Sequence, residues 1–170
     1  KEQYGDRFKI AWGNFAHLDR ILKKEKIKNI DGLIADFGTS QHQIQNEKGF
    51  SFQIDTPLDM RMSTSHGRIK AATVLNSFSE KEMADIFYIY GEERKSRKIA
   101  HVICEQRKKT PFKTTKQLAE LMEHLFPQKG YRRIHPATKI FQALRIYVNK
   151  ELENIEALLP TALEFLSTEG

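Results

Sequence analysis

ADFGTSQHQIQNEKGFSFQIDTPLDMRM, running from Ala35 to Met62, is the most informative part of this chain. It continues the apolar run Gly32-Leu33-Ile34-Ala35, which reads as a buried parallel strand. Asp36 stands where that strand stops, with Gly38, Thr39 and Ser40 in a turn behind it. In open α/β sheets ligands bind outside the carboxyl ends of the strands, so chemistry is expected here. The rest is a long loop carrying Gly49-Phe50-Ser51-Phe52 and Asp55-Thr56-Pro57-Leu58-Asp59-Met60-Arg61-Met62. Loops of this length are functional or disordered, and the Phe, Met, Asp and Arg residues here argue against disorder.

Upstream, residues 8–12 (Phe-Lys-Ile-Ala-Trp) read as another strand, ending at Gly13-Asn14-Phe15, and Leu18 to Ile27 as an amphipathic helix. A strand, helix, strand unit of a doubly wound sheet is thereby predicted. Downstream the pattern is helical only. Ile69 to Phe78 is a short helix, and Ser79-Glu80-Lys81-Glu82 is a capping box opening a helix that runs to Gly91. Glu92 to Lys108 forms the next, ahead of Pro111, and Thr114-Thr115-Lys116-Gln117 caps one running to Phe126. Pro136 suits the first turn of a helix through Asn149, and Glu151 to Leu166 continues helically with Pro160 marking a break or kink. The expected fold class is α/β with a predominantly α-helical insert.

The same residues resemble the RsmH (MraW) family of S-adenosylmethionine-dependent methyltransferases, which modify the N4 amine of a cytidine in small-subunit ribosomal RNA. The resemblance rests on Asp36-Phe37-Gly38-Thr39-Ser40, Gln43, Gly49-Phe50-Ser51-Phe52, Asp55 and Pro57-Leu58-Asp59-Met60-Arg61-Met62. It continues in Leu75-Asn76-Ser77, Tyr90-Gly91-Glu92-Glu93-Arg94, and His135-Pro136-Ala137-Thr138 through Phe141-Gln142-Ala143-Leu144-Arg145-Ile146. Thr39, Gln41 and His42 depart from the family's usual Val, Ser and Pro, making the turn more polar. The nine glycines never fall in Gly-x-Gly spacing. The resemblance implies a class I methyltransferase-like sheet, incomplete here. The family's first strand and its glycine-rich cofactor turn are expected before Lys1, and its last strands after Gly170. It divides the chain into 1–62, part of the cofactor-binding α/β domain; 63–135, the helical substrate-recognition insert; and 136–170, helices returning to the α/β domain.

Phe15, Asp36 and Gln43 match cofactor-binding positions of that family, the cofactor being S-adenosylmethionine. By residue type alone Phe15 reads as core, Asp36 as a turn cap and Gln43 as solvated. Methyl transfer to the cytosine N4 amine needs an acceptor near the amine hydrogens, because that lone pair is delocalised into the ring. Asp36 is the candidate catalytic acceptor. A base taken from its stack wants an aromatic wall, for which Phe50 and Phe52 are available, with Asp55, Asp59 and Arg61 as supporting polar groups. The Asp/Asn/Ser-Pro-Pro-aromatic motif of other amino-methyltransferases is absent. The chain taken alone is expected to bind the cofactor weakly and to be inactive.

Charge is unevenly placed. From Arg94 to Arg133 twelve Lys or Arg face three acids, a local balance of +9, while the remaining sixteen basic and nineteen acidic residues leave −3. One such helix is ordinarily a solvated face. An excess spread over two helices and the loop 128–133 favours contact with RNA phosphates, with Arg97, Lys98, Arg132 and Arg133 the residues to test. The second reading, from a different class, is a non-catalytic helical RNA-binding module.

The single Cys104 excludes an internal disulfide and reads as a buried helix thiol. Six His show no metal-ligand spacing, so no metal is expected. No stretch reads as a signal peptide or membrane span. The expectation is a cytoplasmic chain, or one in an organelle matrix if the source is eukaryotic. Expected partners are small-subunit ribosomal RNA or the assembling subunit, with a homodimer left open.

Overall fold

The computed structural model describes residues 5–39, 49–63, 69–127 and 134–168. Gln43, Arg132 and Arg133 lie outside the described residues. Two compact units divide the chain, one of Lys1–Phe37 with Glu151–Gly170 and the other of Gly38–Lys150. The loop 49–62 packs with the helices downstream of it, in the second unit.

In the first unit a 3-10 turn, Phe15–His17, precedes α1, Leu18–Lys24. The Asn14 side chain accepts from the Ala16 amide at 2.9 Å and opens the turn. α1 ends before the expected Ile27 because Lys26 takes a left-handed φ of 58°. The Lys26 amide then donates to Lys23 and the Ile27 amide to Leu22, a Schellman closure built without glycine. Both elements pack on the final helix, named α7 below, which spans Glu151–Phe165. Pro160 lies inside that helix without ending it.

The expected strands 8–12 and 32–36 are not formed among the described residues, which contain helices and isolated bridges only. Trp12 is 96% exposed and Ile34 99% exposed. A strand is defined by a ladder partner, and neither run has one here. What exists is a single parallel bridge beside the second run: Ile30 donates to the Phe165 carbonyl and accepts from the Ser167 amide, both at 2.9 Å.

The second unit is helical, as expected for the insert. It contains α2 (Ala71–Ser77), α3 (Glu80–Ile89), α4 (Ser96–Lys109), α5 (Thr115–Leu125) and α6 (Thr138–Asn149). Ser79 and Glu82 form the capping box at α3, and Thr114 and Gln117 that at α5. α3 packs on α4 and α6, and α2 packs on the same pair. Gly91 permits a close approach of α6: a Cβ there would stand 2.6 Å from the Lys139 carbonyl oxygen. Phe87, Met83, Leu75, Ile99, Ile103, Leu118, Met122, Ile140 and Leu144 are fully buried in one core. Each such side chain contributes roughly 1.5–3 kcal/mol of burial. Cys104 lies at this core's edge, where burial pushes its thiol pKa up.

Candidate functional site

The loop Gly49 to Met62 is seated on the helical unit by its backbone. Thr56 donates its amide to Thr115 Oγ1 at 3.0 Å, and the Thr115 amide returns a bond to the Thr56 carbonyl at 2.9 Å. The Thr115 hydroxyl in turn donates to the Ile54 carbonyl at 2.8 Å. Leu58 donates to the Lys113 carbonyl, and its own carbonyl accepts from the Ala72 amide. The Asp59 carbonyl accepts from the Ala71 amide at 3.0 Å. Two otherwise orphaned amides at the start of α2 are thus satisfied by the loop. Between these bonds Leu58 and Met60 are buried in the core. Gly49, at φ 82°, passes so close that a Cβ would lie 2.5 Å from the Pro57 carbonyl oxygen.

Asp59 and Arg61 form a two-pronged ion pair, with Arg61 Nη2 donating to Asp59 Oδ2 at 2.8 Å. Lys70 adds a longer contact of 3.6 Å to the same carboxylate. The Arg61 fork holds the Asp59 carboxyl below its ordinary pKa, against a smaller opposing effect of burial. The guanidinium is shifted up in return. Asp55 accepts from the Lys116 amide at 3.2 Å, placing its carboxylate at the start of α5.

Phe50 and Phe52 are half-buried against the core. Phe52 stacks on His135 with centroids 4.4 Å apart and meets Phe141 edge-on at 5.2 Å. His135 Nδ1 accepts from the Ala137 amide at 3.1 Å, so its Nε2 carries the proton and donates to Glu123 at 2.7 Å. The His135 to Thr138 motif therefore fixes Phe52 and the entry to α6, which starts at Thr138 and not at Pro136.

In the first unit Phe15 and Phe37 form a tilted ring pair at 5.4 Å, 38% and 42% exposed. Asp36, next to Phe37 in sequence, is exposed. Gln43 is outside the described residues, so its expected place beside Phe15 and Asp36 is undescribed.

The basic segment is put to several uses. Arg107 donates to the Leu75 carbonyl at 2.9 Å and the Phe78 carbonyl at 2.6 Å, closing the end of α2. Lys108 pairs with Glu105 at 2.6 Å. Lys95 and Lys98 lie 4.7 and 5.8 Å from the Phe126 ring centroid, as cation–π contacts. Arg94, Arg97, Lys98, Lys109 and Lys113 remain exposed. Among the described residues no group of three His, Cys, Asp or Glu could hold a metal ion. Nor is any helix there long and apolar enough to cross a membrane.

Sequence reasoning missed Asn149, Thr115 and Asn76. Asn149 Nδ2 donates to the Met60 carbonyl at 2.7 Å, and its Oδ1 accepts from the Met62 amide at 2.7 Å. Asn76 pairs in both directions with the Phe112 backbone, at 2.7 and 2.9 Å. Asn76 stood inside a motif that carried the resemblance; Asn149 and Thr115 gave no local sign of their partners.

A sequence profile of the MraW methylase family matches residues 1–170. The protein named ribosomal RNA small subunit methyltransferase H from Hydrogenobaculum sp. (strain Y04AAS1) is 50% identical over 153 residues, covering 90% of this chain and 51% of the relative. Its namesake from Desulforapulum autotrophicum is 46% identical over 164 residues, 95% of this chain and 52% of that one. The Fusobacterium nucleatum protein of the same name is 40% identical over 170 residues, 99% and 53%. The chain spans about half the length of the curated relatives it matches. With the profile matched over its whole length, the chain belongs to the MraW methylase family.

Proposed function

We propose that this chain is part of an S-adenosylmethionine-dependent methyltransferase acting on the N4 amine of a cytidine in small-subunit ribosomal RNA. The observation that carries the reading is the loop 49–62, a long polar and aromatic segment fixed by α2, α5 and α6 in a chain of the MraW methylase family. The relatives' printed name supports the substrate. In the complete enzyme residues 8–12 and 32–36 are strands of a class I sheet, and the parallel Ile30–Leu166 bridge supports such pairing beside the second. The functional division runs 1–62 for cofactor, 63–135 for substrate and 136–170 for the return to the sheet. The setting is the cytoplasm, or an organelle matrix in a eukaryote.

The exposed Phe15–Phe37 pair, with the exposed Asp36 next to Phe37 in sequence, supports binding of an adenosine: rings for the base, a carboxylate as acceptor for a hydroxyl or amine. Phe15, Asp36 and Gln43 would hold the cofactor, which supplies a methyl group on a sulfonium when bound. Asp36 is also the proposed acceptor for an amine hydrogen. Phe50 or Phe52 walls the flipped base, while Asp55, Asp59 and Arg61 support that wall. Arg97 and Lys98 on α4, with Arg132 and Arg133, meet phosphates and fix orientation without reading sequence.

The test places this 170-residue chain in the corresponding segment of the Hydrogenobaculum relative. Tritiated S-adenosylmethionine is then offered to small subunits from cells lacking the relative. Label in N4-methylcytidine, lost on Asp36→Ala together with cofactor binding, is expected. Phe50→Ala or Phe52→Ala should impair turnover with RNA more than cofactor affinity. A folded chimera that transfers no label would sink the reading. RNA affinity should fall with salt at a log–log slope of roughly −0.7 to −0.9 per phosphate contact. Pairwise neutralisation of Arg97 with Lys98, or Arg132 with Arg133, should flatten that slope.

A further inference from the structure

Two side chains one helical turn apart on α6 hold the two ends of the loop. Arg145 Nη1 donates to Thr39 Oγ1 at 3.3 Å. Its Nη2 would be 3.9 Å from a Cβ placed on Gly38, so the guanidinium lies against the turn that follows Asp36. Four residues on, Asn149 holds residues 60 and 62 as a neighbouring strand would, taking the Met62 amide and giving to the Met60 carbonyl. Its second amide hydrogen donates to the Arg145 carbonyl at 2.8 Å. This bond ties the clamp to the helix turn that carries the arginine. Met60 sits between the clamped groups at φ 60°, a left-handed conformation that costs a side-chain-bearing residue energy and needs outside support.

We infer that Arg145 and Asn149 are positioning residues: α6 sets the distance between the turn at Gly38-Thr39 and the Asp59-Met60-Arg61 segment. The inference rests on the proposed function, since one of the two segments directly follows Asp36, assigned to the cofactor, and the other carries Asp59 and Arg61, assigned to support the wall for the base. Residues i and i+4 share one helix face, so the spacing between the two holds is fixed by helix geometry. A mismatch of even 1 Å between cofactor and acceptor costs rate on the order of a hundredfold, whereas affinity for either partner alone depends on one segment only.

The experiment uses Asn149→Ala, Asn149→Asp and Arg145→Gln in the chimera described above, with two readouts. First, kcat should fall on the order of 10–100-fold, while KM for S-adenosylmethionine changes less than about twofold. Asn149→Asp keeps the acceptor for the Met62 amide and should recover part of the loss. Second, limited trypsin digestion of the unmodified 170-residue chain and its variants reports cleavage after Arg61. Asn149→Ala should speed that cut about tenfold, as expected for losing a hydrogen-bonded hold, with the thermal transition of the helical core retained. Unchanged kcat with unchanged cleavage in both Asn149→Ala and Arg145→Gln overturns the proposal. An equal rise in KM without a fall in kcat overturns it too, since that is loss of binding and not of register. A parent chimera without activity defeats the functional reading, and the trypsin result then decides the clamp.

Discussion

Residues 8–12 with 32–36, and residues 49–62, are both rich in apolar side chains, yet their fates differ. In the first pair Trp12 and Ile34 stand almost fully in solvent and no ladder forms among the described residues. The second has no helix or strand of its own, but Leu58 and Met60 are completely buried and its backbone is bonded to α2, α5 and α6. Regular structure and order are therefore separate matters. An irregular segment is fixed when neighbouring elements offer partners to its amides and carbonyls, and an apolar run with good strand propensity stays open until an edge is offered to it.

The largest expected effect tests burial directly. Leu58→Ala should cost about 3 kcal/mol in chemical denaturation of the chain, as for a filled core position. Ile34→Ala should stay within about 0.5 kcal/mol. A comparable loss at Ile34 would mean that the first region is packed in solution after all. Next come the glycines. Gly49→Ala should cost about 2–3 kcal/mol, because the new Cβ meets the Pro57 backbone and the positive φ strains any side chain. Gly32, with nothing within 4 Å of its virtual Cβ, should accept Ala almost without change. Thr115→Val comes third, at about 2 kcal/mol, since it strands the buried Thr56 amide and removes the hydroxyl's bond to the Ile54 carbonyl.

The smallest effect concerns pH. Asp59 has a folded pKa below its ordinary 3.8. Its contribution is therefore fully present above that value and disappears as pH falls through the folded pKa. Protection of the amides at the start of α2, corrected for intrinsic exchange, should thus fall as pH drops from 3.8 through the folded pKa, where the Asp59–Arg61 pair is lost. Amides in the middle of α6, a helix with no acidic residue of its own, should change less over the same interval. Equal loss of protection in both helices would show global unfolding in place of local release.

Much of the helical unit was legible because its signals are local. Ser79 with Glu82 and Thr114 with Gln117 lie three residues apart and formed the capping boxes the spacing predicts. α4 began later than expected, at Ser96, because Glu92 turns left-handed at φ 49° and Glu93 accepts from the Lys95 amide. Neither residue is one that usually signals such a turn. The importance of the 49–62 loop could be read from its composition, but its supports could not. Thr56 meets Thr115 across 59 positions and Met60 meets Asn149 across 89. Charge was an equally partial guide: Arg107 looks like any surface cation in sequence, yet it closes a helix end with two carbonyl contacts.

The long span between Thr56 and Thr115 also bears on the order in which the chain assembles. The pairing of α3 with α4 closes over few residues and can form early. The loop's bonds to α5 and α6 require their ends to meet after a much longer search, and the entropy of closure is offset only once those helices are in place. The segment assigned to the chemistry should therefore be the last part of this unit to order and, under mild denaturant, the first to exchange its amides.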